Sequence, residues 1–326
     1  MTSDRHGVQV ETLSPRATGG ALGRLARSNV GLLTLLASSV AFASSGPFAK
    51  SLLTAGWTPG AVVLARVGLG ALVLLGPAVR SLRGRWWTLR DNLGLLVGYG
   101  VAAVGGSQVA FFAAVGRLPV GVALLVEYLG VVLVVGWVWA RSGRAPSRTT
   151  TLGVALALAG LALVIDVSGA GAVDVLGLGL AALSAVGLAV YFVVSARAGT
   201  ALAPAVLACG GMVVGTALLL AAGLTGILPL RATTSAVVIA GATVPWWVPV
   251  IELGFVAAAA AYLLGTYGAR RLGSTVASFV GLTEVLFAVV LAWALLGEIP
   301  RPVQLAGGAV VLGGVAAVRA GELRRR

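Results

Sequence analysis

Three ionisable side chains lie deep inside long apolar runs of this 326-residue chain: Arg66, Glu127 and Glu284. A charge in hydrocarbon costs about 2.5–3.5 kcal/mol even on the scale set by translocon insertion, so each must face a protein interior or a water-filled cavity. At about 1.5 Å per residue, Glu127 falls about 13 Å, Glu284 about 14 Å and Arg66 about 12 Å from one end of its run. In a bilayer core about 30 Å thick, all three therefore approach the midplane. Such a set can grip a charged solute or carry a proton. It can also be purely architectural, with Arg66 neutralising Glu127 or Glu284 and tying helices together. Both readings stay open at this stage.

Further polar residues recur at helical spacing. Ser184, Gly187, Tyr191 and Ser195 follow i, i+3, i+7, i+11 and share one helix face. Ser38, Phe42 and Ser45 form a similar stripe, as do Gly105, Gln108 and Phe112, and Tyr262 with Thr266. Ser and Gly serve close helix packing equally well. Gln108, Tyr191 and Tyr262 are larger and need partners, which makes them the better candidates for lining a cavity. No catalytic set accompanies them. With one histidine, His6, and one cysteine, Cys209, the chain cannot build a Cys/His metal site, a haem ligand pair or an intramembrane Ser–His dyad. The Gly-Gly pairs at 105–106 and 210–211 follow no strand and carry no Lys-Ser/Thr, so they are not phosphate loops. No cofactor or metal is expected.

The elements that position these residues follow from composition. Hydrophobic residues make up 59% of the chain and charged ones 10%, with a mean hydropathy of +1.02. A soluble domain carries about 25% charge, so this is an all-α polytopic membrane protein. Spans of about 20 apolar residues fall at 30–50, 58–79, 93–115, 118–140, 150–166, 174–196, 202–228, 247–268, 275–297 and 302–320. The stretch Val237–Val244 is apolar but too short to cross. Residues 1–29 are polar and read as a disordered cytoplasmic tail, and 321–326 as a basic C-terminus. Arg24 and Arg27 ahead of an apolar run ending Ala41-Phe42-Ala43 imitate a signal peptide; the apolar character continues to Leu53, which favours a retained helix.

The net charge of +13 comes from 22 arginines and one lysine against 10 acidic residues. The arginines form no patch, which argues against nucleic acid; they cluster between spans. Counting alternate loops with the N-terminus inside puts 18 Lys and Arg in the cytoplasm and 4 outside. That split predicts a multi-pass protein with both termini cytoplasmic. Asp166, Asp174, Glu252 and Glu298 are expected at span ends, where solvation is easy, and Trp86, Trp87, Trp246 and Trp247 in the interfacial belts.

Shifting the chain by 154 residues reveals a repeat. Arg117-Leu118 falls on Arg271-Leu272, and Trp139-Ala140-x-x-Gly143 on Trp293-Ala294-x-x-Gly297. Gly153 and Gly160 fall on Gly307 and Gly314. The halves, 30–166 and 174–320, hold five spans each, and an odd number forces them to lie inverted in the membrane. Inverted repeats around a midplane site are a transporter design. Two small-residue ridges, Ala155/Ala159 and Ala309/Gly313/Ala317, are expected to pack the fifth and tenth spans or to support a homodimer.

The stretch from Arg117 to Gly130, with Leu-Val-Glu127-Tyr128 inside it, resembles the fourth helix of EamA-type transporters of the drug/metabolite transporter superfamily. The Glu284 segment, Leu295-Leu-Gly-Glu298 and the final apolar run are similar to that family's last two helices. The family often carries Pro directly after the ninth-helix Glu; here Val285 stands there, which puts a kink in doubt, and Val131 replaces Pro in the fourth helix. The resemblance implies a ten-helix secondary transporter in the cell inner membrane, exporting amino acids or related small metabolites by alternating access. A drug or nucleotide-sugar carrier of the same superfamily is the nearest alternative, and a membrane-embedded enzyme a distant one. The residues expected to line the pathway are Arg66, Gln108, Glu127, Tyr128, Tyr191, Tyr262 and Glu284. The partners are a small-molecule substrate and lipid, with proton coupling left open.

Overall fold

The computed structural model describes residues 15–115, 117–118, 120–165, 174–197, 202–297 and 299–323. Its crossing helices are α1 (Pro15–Thr54), α2 (Pro59–Leu82), α3 (Leu93–Val115), α4 (Val120–Tyr128 and Gly130–Ser142) and α5 (Arg148–Ile165). The second half follows with α6 (Val175–Ser195), α7 (Pro204–Leu224), α8 (Trp247–Leu272), α9 (Ser274–Gly281 and Thr283–Leu296) and α10 (Pro302–Leu323). Nine of these are long and apolar enough to cross a bilayer, and α5 is the shorter tenth. The fold is therefore the all-α, ten-helix polytopic one, in two five-helix repeats.

One expected boundary moves. α1 starts at Pro15, so residues 15–28 are helical where composition suggested a disordered tail; Pro suits a first helical turn, and the Ala and Leu that follow favour helix. Residues 1–14 lie outside the described set, as do Asp166 and Glu298.

The two repeats carry the same local devices at positions 153 to 155 residues apart. In α3, Gly100–Gly106 widens into a π-helix, and in α8 Phe255–Ala260 does the same. α4 and α9 both break their α pattern, at Leu129 and at Leu282, where Leu129 and Leu282 N–H groups donate to the i−3 carbonyls of Val126 and Phe279 at 3.1 Å. No proline is needed for either break. Both helices then end on a left-handed glycine, Gly143 (φ 66°) and Gly297 (φ 72°), which closes the last turn without a Cβ clash.

The repeats meet along α5 and α10, where glycines pair crosswise. A Cβ on Gly153 would fall 2.7 Å from the Gly314 carbonyl oxygen, and one on Gly160 2.7 Å from that of Gly307. Backbones this close gain dispersion and leave no room for lipid. Ala157, Leu161, Val311 and Val318 fill the seam with no exposed surface. This corrects the expected contact: Ala155, Ala159, Ala309 and Gly313 face outward, and the packing ridge lies on the adjacent face.

The connection between α7 and α8 holds a hairpin, β1 (Val237–Ile239) with β2 (Ala242–Val244), turned by Ala240 (φ 51°) and Gly241 (φ 77°). The loop before it is sewn to the α1–α2 turn. Trp57 Nε1 donates to the Thr233 carbonyl at 2.8 Å, and the Thr233 hydroxyl donates to that of Ala55 at 2.8 Å. At the hairpin tip, Ala240 N–H donates to the Leu295 carbonyl of α9 at 3.0 Å.

Candidate functional site

The π-helices prepare the site. A π turn shifts backbone hydrogen bonds by one residue and leaves carbonyls open to other donors. The Ser184 hydroxyl of α6 lies against the carbonyl of Ser107, directly after the π segment of α3, at 3.2 Å. Ser38 of α1 donates to the carbonyl of Ala261, directly after the π segment of α8, at 2.7 Å. Residues 107 and 261 are again 154 apart, so a serine from each repeat sits against the π turn of the other. Arg66 of α2 makes a third such contact: its Nη2 donates to the carbonyl of Ala257 inside the α8 π segment, at 2.9 Å.

These helices enclose a cavity of about 300 Å³. Its lining runs from Leu53 and Pro59, at the hairpin end of α1 and α2, inward to Glu284 and Tyr262. All seven residues singled out from the sequence border it: Arg66, Gln108, Glu127, Tyr128, Tyr191, Tyr262 and Glu284. Gln108 and Tyr262 occupy equivalent positions in the two repeats. Phe42, Phe111 and Phe112 supply apolar wall. Toward the other end the bundle is closed. Tyr99 stacks on Tyr191 at 6.3 Å between centroids, and Tyr191 meets Tyr262 edge-on at 5.4 Å. Ser195, Thr266 and Leu272 lie buried around them.

The charged groups are held in different ways. Glu127 Oε1 accepts from the Ser184 hydroxyl at 2.6 Å, and Ser184 Oγ lies 3.0 Å from Ser107 Oγ. This short relay, Ser107 to Ser184 to Glu127, suits a carboxylate, which takes a strong bond from a hydroxyl. Glu284 has no hydrogen-bond partner among the described residues and is left facing the cavity. Arg66 forms no ion pair with either carboxylate among the described residues; its guanidinium sits 5.6 Å over the Phe42 ring and holds backbone instead. The architectural reading in which Arg66 neutralises Glu127 or Glu284 by direct contact thus gives way to a backbone clamp. Arg66 borders the same cavity as Glu284.

Two polar groups depart from what the sequence led one to expect of them. Tyr191 Oη is buried without a partner, pressed against Gly265. Glu252, expected to be solvated at a span end, is half-buried: Oε1 is 2.5 Å from the Ser44 hydroxyl, and Oε2 is sealed with no partner. The remaining acid, Asp174, does cap a helix end, accepting from Gly177 N–H at 2.7 Å and pairing with Arg117 at 3.6 Å.

Comparison with known proteins agrees with this architecture. The profile of the EamA-like transporter family matches residues 29–166 and 175–320, one match per repeat. A solved crystal structure, described only as that of a protein, aligns with a TM-score of 0.70 at 22% identity, over 92% of this chain and 99% of its own. At that identity the likeness speaks to the fold. No curated protein matches the sequence.

Proposed function

Because the chain belongs to the EamA-like transporter family, we propose that it is a secondary transporter of the cytoplasmic membrane that exports amino acids or related amine-bearing metabolites. The observation that carries the substrate class is the charge set of the cavity: one guanidinium, Arg66, and two carboxylates, Glu127 and Glu284, around one volume of about 300 Å³. A zwitterion finds a partner for each end there, its ammonium on Glu127 or Glu284 and its carboxylate toward Arg66. The aromatic walls accommodate an apolar side chain. A nucleotide sugar brings two phosphate charges, and two carboxylates against one arginine oppose it.

In this reading Glu127 is a fixed anion held in place by Ser184, and Gln108, Tyr128, Tyr191 and Tyr262 supply the uncharged polar contacts. Alternating access follows from inverted repeats that rock about a midplane site. The arginine distribution supports cytoplasmic termini, in which case the cavity described above faces outward and the Tyr99–Tyr191 stack closes the inner side. The function has a direct test. Vesicles reconstituted with the protein and loaded with labelled amino acids should release some of them faster than empty-lipid controls; release at the control rate for every amino acid would remove this assignment. The orientation has another. Cysteines placed at the exposed positions Ser81 and Thr234 should react with an impermeant thiol reagent from opposite sides, since Cys209 is buried and contributes no background; reaction from one side overturns the topology.

A further inference from the structure

Glu252 is a half-buried acid outside the cavity that the transport reading does not use, and one of its oxygens is sealed without a partner. Glu252 lies five residues into α8, roughly 8 Å below its hairpin end, against Ser44 of α1 and on the helix that Arg66 grips. The Ser44 hydroxyl carries one hydrogen but has two oxygens in reach, Ala41 O at 2.8 Å and Glu252 Oε1 at 2.5 Å. If Glu252 is a carboxylate, that hydrogen goes to one of them, the other contact sets lone pair against lone pair, and Oε2 is a sealed oxygen bearing charge without a donor. If Glu252 is a carboxylic acid, every hydrogen has a place. Its O–H donates to Ser44 Oγ, Ser44 donates to Ala41 O, and the orphaned Oε2 is an uncharged carbonyl oxygen, which is far cheaper to bury. Glu127 differs in the feature that matters, because neither of its oxygens is both sealed and without a partner among the described residues.

We propose that Glu252 and Ser44 form a proton-binding site of this carrier, separate from the substrate cavity and linked to it through Arg66. The groups facing Glu252 are few. From α1 comes Ser44, with Lys50 further along the same helix at an exposed position; from α2 comes Arg66; α8 itself adds no other charge near it. Arg66 reaches α8 at the Ala257 carbonyl, about one and a half turns beyond Glu252, and its Nε is buried without a partner. When Glu252 gives its proton to water from the hairpin end, the new carboxylate has a donor available in that unspent N–H. Drawing Arg66 toward Glu252 loosens its hold on the Ala257 carbonyl and removes positive charge from the wall opposite Glu284. Proton release and the charge presented to a substrate are thereby coupled through one side chain. The coupling rests on the transporter reading above; the proton site itself does not.

Infrared spectroscopy of the protein in lipid vesicles at neutral pH tests the site without a substrate. A carbonyl stretch of a buried carboxylic acid should be present, should vanish in Glu252→Gln and should persist in Glu127→Gln. Replacing Ser44 by Ala should move that band to higher frequency, because the acid loses its acceptor. A band untouched by both Glu252→Gln and Ser44→Ala overturns the proposal. If Glu252→Gln does not insert, the Ser44→Ala spectrum decides alone: a shifted band supports the site and an unshifted one refutes it. In vesicles under an imposed pH gradient, labelled amino-acid flux through the Glu252→Gln protein should fall to the level seen without a gradient; a full response to the gradient refutes the coupling. Failure of the unmodified protein to carry any amino acid would sink the transport reading and leave the spectral result to judge the site.

Discussion

The two five-helix repeats are alike in scaffold and unlike in chemistry. Both have a π turn in their third helix, a break in their fourth, a left-handed glycine at its end and a serine reaching across to sit against the other repeat's π turn. Yet the first repeat presents Glu127 tethered by Ser184, and the second presents Glu284 untethered among the described residues. Among the described residues, only the second repeat has its π turn gripped by an arginine, Arg66. Duplication supplies the machinery twice, and the functional groups then diverge within it. Symmetry thus belongs to the scaffold, and the charged groups of the cavity break it.

The largest effect should come from breaking the symmetric seam. Gly160→Leu and Gly314→Leu each push a side chain into backbone across the α5–α10 crossing, where overpacking costs about 1–3 kcal/mol and often more. Both should abolish the yield of folded protein on size exclusion in detergent, and to the same degree; Ala159→Leu, facing outward, should be tolerated. A folded Gly160→Leu protein would mean that the crossing is not the hinge of the assembly. Next in size is the asymmetric pair of carboxylates. Losing a charged hydrogen-bond partner costs about 1.5–3 kcal/mol, roughly a tenfold to hundredfold loss of affinity. Glu127→Gln should weaken binding of amine-bearing substrates by that factor at every pH if Glu127 is a fixed anion. Normal transport with unchanged apparent affinity would make Glu127 structural. The smallest effect separates the two serines. Ser38→Ala and Ser184→Ala each remove one buried bond, worth about 1 kcal/mol of stability. Ser184→Ala should in addition raise the apparent KM several-fold by freeing Glu127, and equal KM values for the two variants would show that the tether is idle.

What could be read from the sequence was depth, and what could not was direction. The ends of the ten spans follow from composition, since a residue either tolerates hydrocarbon or does not. The depth of Arg66, Glu127 and Glu284 follows from counting. The azimuth of a membrane helix is harder, because lipid tolerates Leu, Ala and Gly on any side and leaves no polar face to mark the outside. Hence Ala155/Ala159 stood out as readily as Gly153/Gly160, and only the latter ridge meets α10. Glu252 was misjudged for the same reason: its distance from the span end was legible, but not that it turns toward Ser44. The π turns left no trace either. Gly100–Gly106 and Phe255–Ala260 are ordinary apolar sequence, and the extra residue per turn is held by partners on other helices. Arg66 could be placed at the midplane, but its partner is a carbonyl exposed by such a turn, and a backbone atom is silent in a residue pattern. Of the seven candidates that border one cavity, Arg66, Glu127 and Glu284 came from depth, Gln108, Tyr191 and Tyr262 from being too large to be idle, and Tyr128 from the resemblance.

If the molecule alternates access as proposed above, the hairpin of β1 and β2 makes its two postures energetically unequal. Its tip is bonded to Leu295 of α9, and its stem and loop rest on Trp57 and the α1–α2 turn. The corresponding connection of the first repeat, between α2 and α3, carries no strands and belongs to the opposite end of the bundle. A pair of inverted repeats without such an addition would rest equally often in either direction. With it, contacts are gained or lost on one side alone, so the empty molecule dwells longer in one posture. A solute arriving at the rarer posture meets a site diluted by that fraction, and its half-saturation concentration rises in proportion. Shortening the turn at Ala240-Gly241 would therefore change how strongly the two compartments differ in their apparent affinity, without touching a residue that contacts the solute.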